Sequence, residues 1–124
     1  MPFTIGGGEA FPVATPLTTS LYQNVASGVY VTLLNFTGEG FLYRISATPN
    51  DDANYIDVEI TIDGGVPQVL NSIVNVREAR NLRDNVVFFD WVGTLKFNSS
   101  ILVRTRQNTG FNQNIEAVLD YGIV

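Results

Sequence analysis

Three carboxylates punctuate the stretch Tyr55-Ile56-Asp57-Val58-Glu59-Ile60-Thr61-Ile62-Asp63-Gly64-Gly65. On an extended strand Asp57 and Glu59 leave one face about 6.5–7 Å apart. That spacing falls within the range between acid and base in glycoside hydrolysis. Such a pair needs one carboxyl held protonated by burial beside a second that stays ionised. The neighbouring residues argue for a plainer role. Ile56, Val58, Ile60 and Ile62 make one apolar face, and Asp57, Glu59, Thr61 and Asp63 make the other. This alternation predicts an antiparallel strand with a dry and a wet side, reversed by a hairpin at Asp63-Gly64-Gly65. The three carboxylates are expected in solvent, forming an acidic, well-hydrated face.

Other side chains invite the same test. Asn50, Asp51 and Asp52, with Asp57, offer oxygen ligands for calcium, but PNDDANYID lacks the ligand order and distal Glu of an EF-hand loop. A solvated turn is the expectation, with no metal assigned. Arg77, Arg80 and Arg83 recur every third residue. On a helical turn they would form a basic strip, extended by Arg104 and Arg106 into an anion-binding patch. Glu78 and Asp84 lie among them, so surface ion pairs compete with salt bridges to another subunit. Ser99-Ser100 has no histidine to activate it, and the chain contains neither histidine nor cysteine. The usual general base, thiol nucleophile and commonest transition-metal ligands are therefore missing. Lys96 sits mid-strand between Leu95 and Phe97, a poor place for a Ser–Lys pair. No Walker or dinucleotide glycine loop occurs. The expectation is no enzyme and no cofactor.

A chain of 124 residues with 45% hydrophobic and 15% charged residues is long enough for one packed domain. Its net charge of −5 is uneven. Residues 1–62 set Arg44 alone against Glu9, Glu39, Asp51, Asp52, Asp57 and Glu59. An acidic chain without a basic block repels phosphate backbones, so no nucleic-acid partner is expected. No apolar run has membrane-spanning length, and MPFTIGGGEAFPVA lacks the form of a signal peptide. Synthesis and folding in a cytoplasm, without a membrane anchor, follow as expectations.

These residues need strands to position them. From residue 28 the pattern has period two: GVYVTLLNF, FLYRISATP, YIDVEITID, VPQVL, VVFFDWV, TLKFN, SILVRTRQ and NIEAVLDYGIV, separated by turn residues. In the first, both faces are apolar, which predicts a strand covered on both sides. In the second, Phe41, Tyr43, Ile45 and Ala47 are expected on one face, with Leu42, Arg44 and Ser46 on the other. Residues 75–85, NVREARNLRDN, read as one or two helical turns or a long loop. With no amphipathic helix to cover them, about eight short strands predict an all-β fold. We expect a single antiparallel β-sandwich or jelly-roll-like domain over residues 21–124. Residues 1–20 differ. Gly6-Gly7-Gly8 and Pro2, Pro12 and Pro16 interrupt Phe3, Ile5, Phe11 and Val13. They read either as a flexible end leading into an irregular strand or as an extended N-terminal arm whose four apolar residues dock on a neighbouring subunit.

The run LLNFTGEGFLYRI, then VEITIDGG, then LKFNSSILVRTRQN resembles small β-sandwich structural proteins of tailed bacteriophage virions. In those, a T/S-G-x-G turn, a TIDG hairpin and a late F-N-S-S-L-x-V strand follow one another. The likeness covers about residues 31–107. It implies a capsid decoration (cement) protein, or a head or tail accessory, without catalytic residues. The implied partners are the major capsid protein and the chain's own copies, often as a trimer, on the capsid surface of a virion assembled in the host cytoplasm. The contact residues expected from the sequence itself, the arm's Phe3, Ile5, Phe11 and Val13 and the basic Arg77, Arg80 and Arg83, have no counterpart in that pattern. The alternative is a tail-tip or receptor-binding module for host glycans, with Tyr55, Trp91 and Phe111 as stacking platforms. Trp91 itself reads as a core residue, because VVFFDWV is mostly apolar.

Overall fold

The computed structural model describes residues 3–5, 9–11, 14–49, 56–71, 76–79 and 86–124. All the regular structure among them is strand: β1 (Phe3–Ile5), β2 (Glu9–Phe11), β3 (Thr15–Val25), β4 (Val31–Thr37), β5 (Gly40–Pro49), β6 (Ile56–Ile62), β7 (Gln68–Asn71), β8 (Val76–Ala79), β9 (Val86–Phe97), β10 (Ser100–Gln107) and β11 (Gln113–Ile123). No described helix is long and apolar enough to cross a membrane. Two antiparallel sheets, ordered β4-β10-β6-β7 and β3-β11-β5-β9-β8, face each other as a β-sandwich. The expected fold class is the observed one.

Alternation along each strand decides what enters the space between the sheets. On β10 the burial is strictly period two, with Ile101, Val103, Thr105 and Gln107 inward. They meet Ile62, Ile60, Val58 and Ile56 of β6 in register. From the other sheet Leu42, Ile45, Phe89, Phe97, Ile115 and Leu119 are fully buried. Each such side chain contributes about 1.5–3 kcal/mol on leaving water. Phe36 packs edge-on to Phe97 with centroids 6.0 Å apart, the favoured geometry for two aromatic quadrupoles.

Two bulges correct the face assignments made from period two. Opposite Val103 and Arg104, β4 carries Leu33 as an extra residue between Thr32 and Leu34. Both leucines are buried in the core. The LL doublet therefore marks a bulge rather than a strand covered on both faces. On β5, Arg44 pairs with Asp120 and Leu42 with Tyr121, so Tyr43 is the extra residue. This turns Leu42 inward with Ile45 and Ala47. Phe41 and Tyr43 stack together instead, with centroids 6.2 Å apart.

The reading of residues 75–85 as helical turns or a loop is corrected over Val76–Ala79. This segment is β8, paired with Val86–Phe89 of β9. Ladder bonds to β9 outweigh the weak helical tendency of so short a charged segment. At the N-terminus, β1 and β2 form a two-stranded hairpin with Phe3 opposite Phe11 and Ile5 opposite Glu9. β3 begins at Thr15, within the span read as arm, and pairs with β11 along all eleven residues.

Candidate functional site

The carboxylates Asp57 and Glu59 are not on a wet face. They are 9% and 8% exposed, against the expectation of an acidic, hydrated surface. Their partners come from β10, whose register puts Arg104 opposite Glu59 and Arg106 opposite Asp57. Glu59 Oε1 accepts from Arg104 Nε at 2.7 Å, and Arg104 Nη2 stands 2.5 Å from the same oxygen as an ion-pair contact. Asp57 Oδ2 accepts from Arg106 Nε and Asn108 Nδ2, each at 2.8 Å. Both guanidinium carbons stand 4.6 Å from the centroid of the Tyr30 ring, an arrangement attractive for cations over a π face. Burial raises the Tyr30 phenol above its ordinary pKa, against the opposing charge of Arg106. The hydrogen bond that Arg106 donates to Asp57 holds the guanidinium above its usual pKa. Each carboxylate is committed to its own arginine, so the two stand as cross-strand ion pairs rather than as an acid–base couple.

Asp63 plays a different part. It and Gly64 have φ of 54° and 68°, and Gly65 N donates to Ile62 O at 2.9 Å. These are the features of a type I′ turn, in which Gly64 tolerates the left-handed conformation. The Asp63 carboxylate reaches across to the β9–β10 turn. Its Oδ1 accepts the backbone N–H of Asn98 (2.9 Å), Ser99 (2.7 Å) and Ser100 (3.1 Å). The Ser99 hydroxyl adds a fourth donor at 3.1 Å. These donors, the backbone of Ser99 foremost, hold the Asp63 carboxyl below its ordinary pKa. Gly38 N donates to Ser99 O at 2.7 Å, which ties the β4–β5 turn to the same place.

An apolar cleft of about 430 Å³ opens between the sheets. Ile60 and Ile62 of β6, Leu70 of β7 and Trp91 and Leu95 of β9 line it, joined by the exposed Val66 and Gln68. Trp91 is therefore half-buried in a cleft wall rather than enclosed in the core. Its indole lies against its own strand at Gly93, where a Cβ would stand 2.9 Å from the ring. Such a cleft accepts an apolar side chain; its lining carries no charged group.

The remaining sequence candidates are scattered. Phe3, Ile5 and Phe11 lie on the β1–β2 hairpin and Arg77 on β8, so Arg77 is not on a helical strip. Val13, Arg80, Arg83, Tyr55 and the Asn50–Asp52 calcium candidate lie outside the described residues. Among the described residues no group of three or more acidic side chains is placed to hold a metal. Lys96 Nζ is 2.7 Å from Glu39 Oε2, an exposed ion pair. Ser99 and Ser100 serve the turn held by Asp63. Phe111 is 55% exposed. Residue spacing could not disclose the Tyr30–Arg104–Arg106 stack, because its members meet only through β-pairing; the arginines at i and i+2 on β10 were the one available signal.

The fold and this site define a β-sandwich held by cross-strand ion pairs and knotted turns. No protein-family model matches the sequence, and no curated protein matches it. Among solved structures, a chain of the cyanophage Pam1 capsid asymmetric unit is similar at 9% identity over 100% of both chains, with a TM-score of 0.49.

Proposed function

We propose that the chain is a non-enzymatic structural protein of a bacteriophage virion, a capsid decoration protein that binds the head surface and its own copies. The observation that carries this reading is the meeting of three turns. Thr37-Gly38-Glu39-Gly40, Thr61-Ile62-Asp63-Gly64 and Phe97-Asn98-Ser99-Ser100 are the segments that resemble small virion proteins. They converge in one hydrogen-bonded knot through Asp63, Gly38 and Ser99. A motif whose separate parts assemble in space is better support than the same parts in sequence alone. The sheet orders, with the chain changing sheet at every step from β3 to β6 and again from β9 to β11, support a jelly-roll reading. That architecture suits a durable coat, although it also serves lectins and enzymes. In this reading the major capsid protein is the partner, trimers are the state that the resemblance implies, and Phe3, Ile5, Phe11, Val13, Arg77, Arg80 and Arg83 are contact residues.

The test uses phage heads assembled without this protein and the purified full chain. Saturable binding to such heads, with a higher temperature of head disruption, is the expected result. Binding to host cells or glycan arrays without binding to heads would replace this reading with that of a tail-tip receptor module. Deleting residues 1–14 should abolish head binding or self-association; an unchanged deletion variant sinks the arm's role.

A further inference from the structure

The sandwich has four sheet edges among the described residues, and three of them are blunted. β7 and β8 are four residues long, and β8 carries Arg77 and Glu78. β4 is interrupted by the Leu33 bulge. Short strands, charges and bulges are the usual devices that stop a sheet edge from pairing with another chain. β3 has hardly any of them. Its sequence TPLTTSLYQNV contains no charged residue, its eleven-residue register against β11 is unbroken, and it extends about 36 Å. Only Pro16, near its start, lacks a backbone donor. Leu17 and Tyr22 are 37% and 61% exposed on it. Ala14, the residue just before β3, lies over Gly122 of β11, beside Tyr43 of β5.

We propose that β3 is a self-pairing edge, at which the β3 of a second copy adds antiparallel and joins two five-stranded sheets into one. An uncharged strand is self-complementary in charge, because no like charges meet when it pairs with its own copy. A two-fold axis through Ser20, the middle of the strand, sets Thr18 opposite Tyr22 and Thr19 opposite Leu21. Every pair across that axis is neutral. The inference deepens the self-association within the proposed function and rests on that part of it. A two-fold edge produces even-numbered assemblies, in contrast to the trimer implied by the resemblance.

Ser20 is exposed and the chain has no cysteine, so Ser20→Cys is a clean reporter. Oxidation of S20C should trap a covalent dimer, whereas Val69→Cys on β7 should not. Ser20→Lys places two ammonium groups at the axis and should weaken self-association, read by analytical ultracentrifugation, by about tenfold or more. Its circular dichroism melt at monomeric concentration should be unchanged. A chain that is monomeric at all concentrations overturns the proposal. So does a trimer in which S20C fails to cross-link, or S20C cross-linking to a different virion protein. Dimers that do not bind heads would keep β3 pairing and sink the virion reading; head binding by an S20K monomer would do the reverse.

Discussion

Glu59 and Arg104, 45 residues apart in sequence, stand opposite each other on β6 and β10, joined by a hydrogen bond from Nε and a close Nη2 contact at a single carboxylate oxygen. Glu59 is 8% exposed, so removal of its partner strands a charge with little access to water. Arg104→Ala is expected to lower the urea-unfolding free energy by about 1–3 kcal/mol. The figure is below that of a fully enclosed pair because the guanidinium is one-third exposed. The double variant R104A/E59A should lose less than the sum of the single losses. Additive losses would show that the contact contributes no coupling.

Tyr30 is the platform shared by both arginines, so its ring matters more than its hydroxyl. Tyr30→Phe should unfold at nearly the wild-type urea concentration, while Tyr30→Ala should lose about 1–2 kcal/mol. Equal losses in the two variants would transfer the role from the ring to the phenol oxygen.

Asp63 makes stability depend on acid. Its carboxyl is held below the ordinary value of 3.8, first by the Ser99 and then by the Ser100 backbone N–H. A group with a depressed folded pKa contributes stability above its unfolded pKa, and that contribution fades as pH falls through the folded value. The difference in melting temperature between wild type and Asp63→Asn should be constant above about pH 5 and should shrink as pH falls through and below the unfolded value. A difference that does not change on acidification would mean that the carboxylate charge is irrelevant to the knot.

Two glycines should respond to the same substitution by different amounts. A Cβ on Gly40 would stand 2.1 Å from Gly122 O and 2.7 Å from the Phe97 ring. Backbone cannot yield there, and Gly40→Ala should cost about 3 kcal/mol or more. Gly64 has open space around it and a φ of 68°, so Gly64→Ala should cost only about 1–2 kcal/mol of left-handed strain. Thermal denaturation of the two variants side by side decides this.

Period two made most of this sandwich legible in the sequence. Ile56, Val58, Ile60 and Ile62 face inward as the alternation requires, and Asp63-Gly64 turns the chain where its residue types predict. The rest depended on pairing partners that spacing alone cannot supply. Asp57 and Glu59 look solvent-facing until Arg104, Arg106 and Tyr30 are laid over them by β10 and the segment before β4. Tyr43 and Leu33 break the face assignments because a bulge is set by the neighbouring strand's register, not by the bulged strand's own composition. β8, with Arg77 and Glu78, is a strand only because β9 offers it an edge. Trp91 packs against the core from the cleft wall with its indole close to Gly93, a placement that spacing in the sequence does not reveal.

The pairing of Thr15 with Ile123 has a practical meaning for anything attached to this molecule. The chain enters the sandwich and leaves it side by side, at the end where Val124 N donates to Glu39 O. Cargo fused ahead of β3 or after β11 would thus project from one pole. The opposite pole, with the β3–β4 connection and the loop bearing Phe111, would stay clear. The molecule is polar in the sense that a handle is polar: one end for holding, the other for presenting.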